Sequence, residues 1–192
     1  VEAMENIEKV LDIVNEANGR DGFRVLVAGN SSADFEFTEL YFKDIAKGEG
    51  IGIPVALIIL VLLFGALLAA FIPIGLAIVA IIVALGATAL VGQAVDVFIF
   101  AAFMIAMIGL AVGIDYSLII VSRFREELRR GLDKYDAIAR TGATASRTVF
   151  FSGVTVVVAM VGMLIIPINF FPGLAAGVIL VVISAVTASL TL

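Results

Sequence analysis

Between Ile51 and Val95 the sequence carries no charged side chain at all. At about 1.5 Å of rise per helical residue, one apolar run of that length is enough for two crossings of a hydrocarbon core roughly 30 Å thick. A water-soluble domain has no interior large enough to hide it, because 62% of the chain is hydrophobic, only 15% is charged, and the mean hydropathy is +1.18. In lipid each backbone N–H and C=O must be satisfied within the chain, so such runs fold as helices. The predicted fold is an all-α transmembrane bundle.

Pro73 divides the run near its middle. With the apolar stretches downstream it gives five predicted spans, at residues 51–72, 74–92, 97–122, 148–166 and 171–192. The prolines punctuate this map, with Pro54 in the first turn of span one, Pro73 opening span two, Pro167 closing span four and Pro172 at the head of span five. Proline is tolerated at helix starts and disfavoured in helix interiors. The net charge of -5 conceals a segregation: residues 1–50 hold 11 acidic and 5 basic side chains, whereas residues 123–147 hold 7 basic and 4 acidic ones. A Lys and Arg excess in a short loop marks the cytoplasmic side. The 123–147 loop is therefore expected in the cytoplasm, and residues 1–50, three crossings away, outside it.

The outer piece reads differently. Met4, Ile7, Leu11 and Val14 recur at spacings of three and four, with Glu5, Glu8, Lys9 and Asp12 between them, which predicts an amphipathic helix closing at Asn18 and Gly19. Phe23 to Ala28, flanked by Gly22 and Gly29, is rich in strand formers and predicts a strand. Ser31 and Asp34 open a further helix, supported by the Glu39 and Lys43 pair, that leads to Gly48, Gly50 and Gly52 at the membrane interface. Residues 1–50 are thus expected to be a small α+β piece of a water-exposed domain, too short to bury its own core. Val1 is not an initiator methionine and Leu192 lies inside an apolar run, so the sequence reads as an internal fragment of a longer protein.

The chemistry centres on span three. From Val97 to Ser122, Asp115 is the only charge. An aspartate near the centre of a membrane helix costs about 2.5–3.5 kcal/mol on insertion scales, so such groups face protein or a wet cavity and carry protons or ions. The competing structural role is a helix-packing hydrogen bond from a protonated Asp115. The chain has no Cys and no His. That excludes thiolate and imidazole metal sites, disulfides and histidine-dependent triads within it, and proton chemistry must use carboxylates assisted by Tyr, Ser and Thr hydroxyls. No metal or other cofactor is expected. The mixed signs of residues 123–147 do not read as a nucleic-acid site.

Around Asp115 two small-residue patterns stand out. Ala102, Ala106, Gly109 and Gly113 step by four, three and four, a seam for close helix packing about 160° from Asp115 at 100° per residue. In span four Thr148, Ser152, Thr155, Ala159 and Gly162 form a partly polar stripe, whose Ser152 and Thr155 either bond a protonated Asp115, line a water file, or bond their own helix's carbonyls. Spans one and two, poor in hydroxyls, are expected to face lipid or an apolar groove, and spans three and four to turn their small stripes toward protein. Arg123 to Arg130 extends span three as a helix ending at Gly131, and Asp133 caps a second short helix.

The stretch GLAVGIDYSLIIVSRFREELRRG at Gly109 to Gly131, followed by AIARTGATASRTVFFSG at Ala137 to Gly153, resembles the MmpL-type permeases of the resistance-nodulation-division (RND) superfamily. The resemblance covers nearly the whole chain, as the end of an extracytoplasmic porter domain followed by helices two to six of one repeat. It implies a proton-motive-force-driven exporter of lipids or other hydrophobic compounds in a bacterial-type cell membrane, a transporter and not an enzyme. It also implies that Asp115 and Tyr116 match one half of an intramembrane proton relay whose other half lies in a second repeat absent from this chain. Two other families share features. The Sec protein-export accessory family has an intramembrane Asp before an Arg-Glu-Glu exit, but places a small residue and Asn after it where this chain has Tyr116. Sterol-sensing membrane domains share the architecture without pumping.

Overall fold

The computed structural model of the chain describes residues 6–27, 29–93, 97, 99–168 and 170–191. Five of its helices are long and apolar enough to cross a membrane: Phe42–Phe64, Ala69–Val91, Ala101–Arg129, Lys134–Met163 and Phe170–Leu190. The chain divides into two compact units, Val1–Ala56 and Leu57–Leu192.

In the first unit, α1 (Ile7–Ala17) buries Ile7 and closes where the Asn18 N–H reaches the Val14 carbonyl, followed by Gly19 at φ +87°. Met4, Ala28 and the side chains of Ser31, Asp34 and Glu39 lie outside the described residues. The strand predicted over 23–28 does not form across Phe23–Val27. A strand needs a neighbour to take up its N–H and C=O groups, and among the described residues there is none. The Val25 N–H donates instead to Oδ1 of Asn18 at 3.2 Å.

The helix α2 runs unbroken from Asn30 to Phe64, through Gly48, Gly50, Gly52 and Pro54. It stops at Gly65, which sits at φ +64° and donates its N–H to the Val61 carbonyl at 2.7 Å. The next helix, α3 (Leu67–Val91), contains Pro73 in its second turn. The helix break thus falls at Gly65 and not at Pro73, and by length and composition the candidate crossings of these two helices are Phe42–Phe64 and Ala69–Val91. The reason is a difference in cost. Proline within a helix loses one hydrogen bond and strains one turn, whereas a chain reversal inside an apolar run needs a residue able to take a left-handed conformation, and Gly65 is that residue.

In the second unit α3, α4 (Ile99–Arg129) and α7 (Phe170–Leu190) pack against one another, α6 (Arg147–Met163) packs on α7, and the short α5 (Lys134–Thr141) packs on α4. The core runs down two seams. Ala84, Ile105, Val178, Val181 and Val182 form one, and Ala80, Tyr116, Ile120, Ala145, Val149 and Ala185 the other. Span two has two faces: α3 buries Ala70, Ile74, Ala77, Ala80, Ala84 and Thr88 and leaves Ile78, Val79, Ile82 and Val83 exposed. Its alanines leave room for α4 to approach. The last turns of α2 are seated by Leu60 and Phe64 against Ala70, Ile74 and Val121.

Beyond the bundle α4 continues to Arg129 and is closed by Gly131 at φ +90°. Asp133 then caps α5, accepting from the N–H groups of Tyr135 and Asp136 at 2.8 and 2.9 Å. Between α5 and α6 the helix widens into a π segment, Gly142–Ser146. A local widening of this kind is a frequent companion of functional sites.

Candidate functional site

Three consecutive residues in the middle of α4 point in three directions. Asp115 is exposed on the outer face of the unit, and among the described residues no hydrogen bond or ion pair reaches it. Tyr116 is buried, with its hydroxyl 3.4 Å from Oγ of Ser152 on α6. Ser117, fully buried, lies 3.3 Å from Oγ of Ser189 on α7. At 100° per residue three successive side chains must diverge in this way. With Tyr116 and Ser117 turned into the bundle, Asp115 faces outward.

The glycines of α4 lie on its inward side. A Cβ built on Gly109 would stand 2.6 Å from side-chain atoms of Ile81 and Val181, and one on Gly113 2.7 Å from Cβ of Ala77. Both distances are closer than a real side chain allows, so α4 sits against α3 at backbone range. Gly153 on α6 meets Val186 of α7 in the same manner.

The polar stripe of α6 faces away from these packed surfaces. Thr148, Ser152, Thr155, Ala159 and Gly162 are all exposed, while Val149 and Gly153 make the inward face. Ser152 meets Tyr116 and not Asp115, and Thr155 donates to the carbonyl of Phe151 at 2.9 Å. Two adjoining grooves run along this stripe. The wider, 540 Å³, is lined by Ala143, Thr144, Arg147, Thr148, Phe151, Ser152 and Thr155. The narrower, 360 Å³, lies between α4 and the π segment, and is lined by Ile119, Ser122, Arg123, Glu126, Thr144, Ala145 and Thr148.

At the far end of α4 an ion-pair cluster surrounds Glu127, which is 1% exposed. Its carboxylate meets Arg123, Arg130 at 3.3 Å and, from α5, Arg140 at 3.9 Å. Arg123 and Arg130 also pair with Glu126 at 2.8 and 2.6 Å. Arg125 turns the other way, donating to the Phe64 carbonyl with its guanidinium over the Phe64 ring. The i, i+3 and i, i+4 spacings of the RFREELRR run contain these local pairs. Burial of Glu127 and the approach of Arg140 were not legible there, and neither was the Ser117 and Ser189 contact, since all depend on tertiary packing. Among the described residues no group of His, Cys, Asp or Glu could hold a metal ion.

Comparison with known proteins places this sequence in a family. Over 175 residues, 91% of this chain and 18% of the relative, the sequence is 38% identical to the mycolic acid-containing lipids exporter MmpL11 of Mycolicibacterium smegmatis. It is 35% identical to the trehalose monomycolate exporter MmpL3 of the same organism over 190 residues, 99% of this chain and 18% of that protein. It is 41% identical to the membrane protein YdfJ of Bacillus subtilis over 146 residues, 75% of this chain and 20% of that protein. The chain thus spans about a fifth of the length of these relatives. The family model described as the MMPL family matches residues 1–192, and with its multi-pass helical architecture the chain belongs to that family of RND-type membrane permeases.

Proposed function

We propose that the intact protein is a proton-driven membrane exporter of lipids or other hydrophobic compounds, and that Asp115 is the proton carrier of this half. The observation that supports the reading is an ionisable side chain turned outward at mid-span, next to the buried Tyr116 and Ser117, with no partner among the described residues. Such a group is costly against lipid, so in the intact protein it faces a second helical half. The names of the two mycobacterial relatives, both lipid exporters, support a lipid-like substrate. Residues 1–50 fit the end of an extracytoplasmic porter domain, because Phe23, Leu26, Phe37, Leu40 and Phe42 stand exposed and call for further chain to cover them. The 123–147 segment, rich in arginine, is then cytoplasmic.

A membrane potential of 100 mV supplies about 2.3 kcal/mol per proton. That energy does work only if protonation favours one conformation over another. Movement of the halves that takes Asp115 from an apolar to a polar neighbourhood is the coupling this requires. Tyr116, locked to Ser152, orients the helix next to the carboxylate and is not itself the charge carrier. In proteoliposomes of the intact protein under an imposed pH gradient, Asp115→Asn is expected to abolish proton-coupled export with protein amount and thermal stability unchanged. Asparagine keeps the shape and cannot titrate. Wild-type export by a stable Asp115→Asn variant would remove the residue from the mechanism.

A further inference from the structure

Helices α4 and α7 lie parallel and in register. A Cβ on Gly177 of α7 would stand 2.6 Å from Ile105, one on Gly109 of α4 would stand 2.6 Å from Val181, and Oγ of Ser117 lies 3.3 Å from Oγ of Ser189. The partners in each pair are 72 residues apart. The register thus holds for about three turns, from Ile105 to Ser117. Beyond Ser117 the two helices part in length, for α4 runs on to Arg129, about 18 Å further, whereas α7 ends at Leu190.

Just past Leu190 opens a niche of 250 Å³. Its walls include Ile120 and Phe124 of α4, Ile138 of α5, Gly142 and Ser146 of the π segment, and Leu190 itself. Apolar cavities of about 150 Å³ already admit a benzene-sized group, so this one takes side chains. Lys134, the charged residue of the lining, is exposed at the start of α5, where its four-carbon stem can lie on the apolar wall with the ammonium in water. The niche is on the opposite side of α4 from the carboxylate. At 100° per residue Ile120 and Phe124 stand about 140° and 180° from Asp115, so a second half packed on the Asp115 face does not fill it.

Two registers say what does. Continued at an offset of 72 residues, the α4 register brings the fourth residue after Leu192 opposite Phe124. The α6 register is independent of it. Helices α6 and α7 are antiparallel neighbours, and Gly153 of α6 meets Val186 of α7. Counted back from Gly153 and forward from Val186, it brings the first residue after Leu192 opposite Ser146 and the fifth opposite Gly142. Both counts reach the same turn. Gly142 is also open to an approaching helix, since a Cβ there would meet nothing within 4 Å, whereas Gly153 on the same rod is closed by α7.

We propose that the niche is the seat of the chain that follows Leu192 in the intact protein, which continues α7 as a helix for about three further turns with an apolar side against Ile120, Phe124 and Ile138. Relatives about five times as long as this chain have sequence to supply it. The short helix α5, tied to α4 through Arg140 and Glu127, is then gripped on its other side by α7.

Disulfide pairing in the intact protein, with any cysteine outside this chain replaced, tests the register, since this chain has none. A disulfide needs Cα atoms within about 7 Å of each other. Ser146→Cys, which keeps the size of the side chain, is expected to pair with a cysteine at the first or second residue after Leu192. Gly142→Cys, at a helical φ of -57°, is expected to pair at the fourth or fifth. Each yield should exceed that of Tyr135→Cys, 82% exposed on α5 and outside the niche, by several fold. Yields no higher than the Tyr135→Cys level at every position after Leu192 mean that lipid or another part of the protein fills the niche, and overturn the proposal. Equal yields at all of those positions describe a loose tail and overturn it also. Should Gly142→Cys fail to accumulate, the Ser146→Cys series decides alone. The readout is geometry and not transport, so the result is the same whether or not Asp115 carries protons.

Discussion

At the scale of single residues, Glu127 is the buried charged side chain among the described residues. It holds arginines from two helices, and so secures α5 to the end of α4. Its removal leaves Arg123 still paired with Glu126 and Arg130 and Arg140 more than half exposed, so the cost falls below the roughly 3–5 kcal/mol of breaking a fully buried pair but above the under about 1 kcal/mol of an exposed one. Glu127→Ala is therefore expected to lower thermal stability clearly, and Glu126→Ala, with a half-exposed carboxylate, only slightly. Equal melting temperatures for the two variants would show that the cluster does not hold the helices. Tyr116→Phe is a gentler change. It removes one contact at 3.4 Å, a loss of about 1 kcal/mol, and in coupled export it should impair no more than Asp115→Asn does.

At the scale of helices, glycine positions separate into two kinds. Gly109, Gly113, Gly153 and Gly177 have neighbours within 2.7 Å of where a Cβ would stand, whereas Gly75, Gly86 and Gly162 have nothing within 4 Å. Overpacking a close site costs about 1–3 kcal/mol for small additions. Gly113→Val is expected to destabilise the bundle, with Gly162→Val within about 0.5 kcal/mol of wild type, measured by detergent-solubilised melting. Equal losses at the two positions would mean that backbone approach at Gly113 contributes nothing. The same comparison shows how much of the molecule could be read from the chain. Span number, the extension of α4 to Gly131 and the Asp133 cap followed from apolar length and local capping chemistry, and the structure has them. Residues governed by tertiary partners were harder. Pro73 looked like a helix start and sits inside α3, whose buried alanines form an inward seam that span two's lack of hydroxyls did not foretell. Phe23 to Ala28 looked like a strand, but across Phe23–Val27 no strand neighbour stands among the described residues. At the candidate site, the isolation of Asp115 was visible as a lone charge in an apolar run. That Ser152 would meet Tyr116 depended on which way α6 turns, and periodicity along one helix carries no information about its rotation against another.

At the scale of the whole molecule, the distribution of exposed chemistry decides what covers the outer face. Leu62 on α2 and Ile82 on α3 stand out from the bundle among other apolar side chains, a composition suited to lipid. The face bearing Asp115, Ser122, Thr148 and Ser152 is polar at membrane depth, and leaving Asp115 alone there against hydrocarbon costs about 2.5–3.5 kcal/mol. Relatives about five times as long as this chain have ample sequence for a second bundle. If two such halves pack with their carboxylate faces together, the polar rows are roofed by protein and the apolar helices remain outside. Inverted or parallel repeats that enclose a midplane site obey the same logic in other transporters. A photoreactive benzophenone side chain placed at Ile119, one turn from Asp115, should then capture peptides of the intact protein from outside residues 1–192, read by mass spectrometry after digestion. The same probe at Leu62 or Ile82 should capture lipid. Capture of lipid at Ile119 as well would leave Asp115 facing the bilayer, and the two-half relay would have to be abandoned in favour of a protonated Asp115 with no transport role.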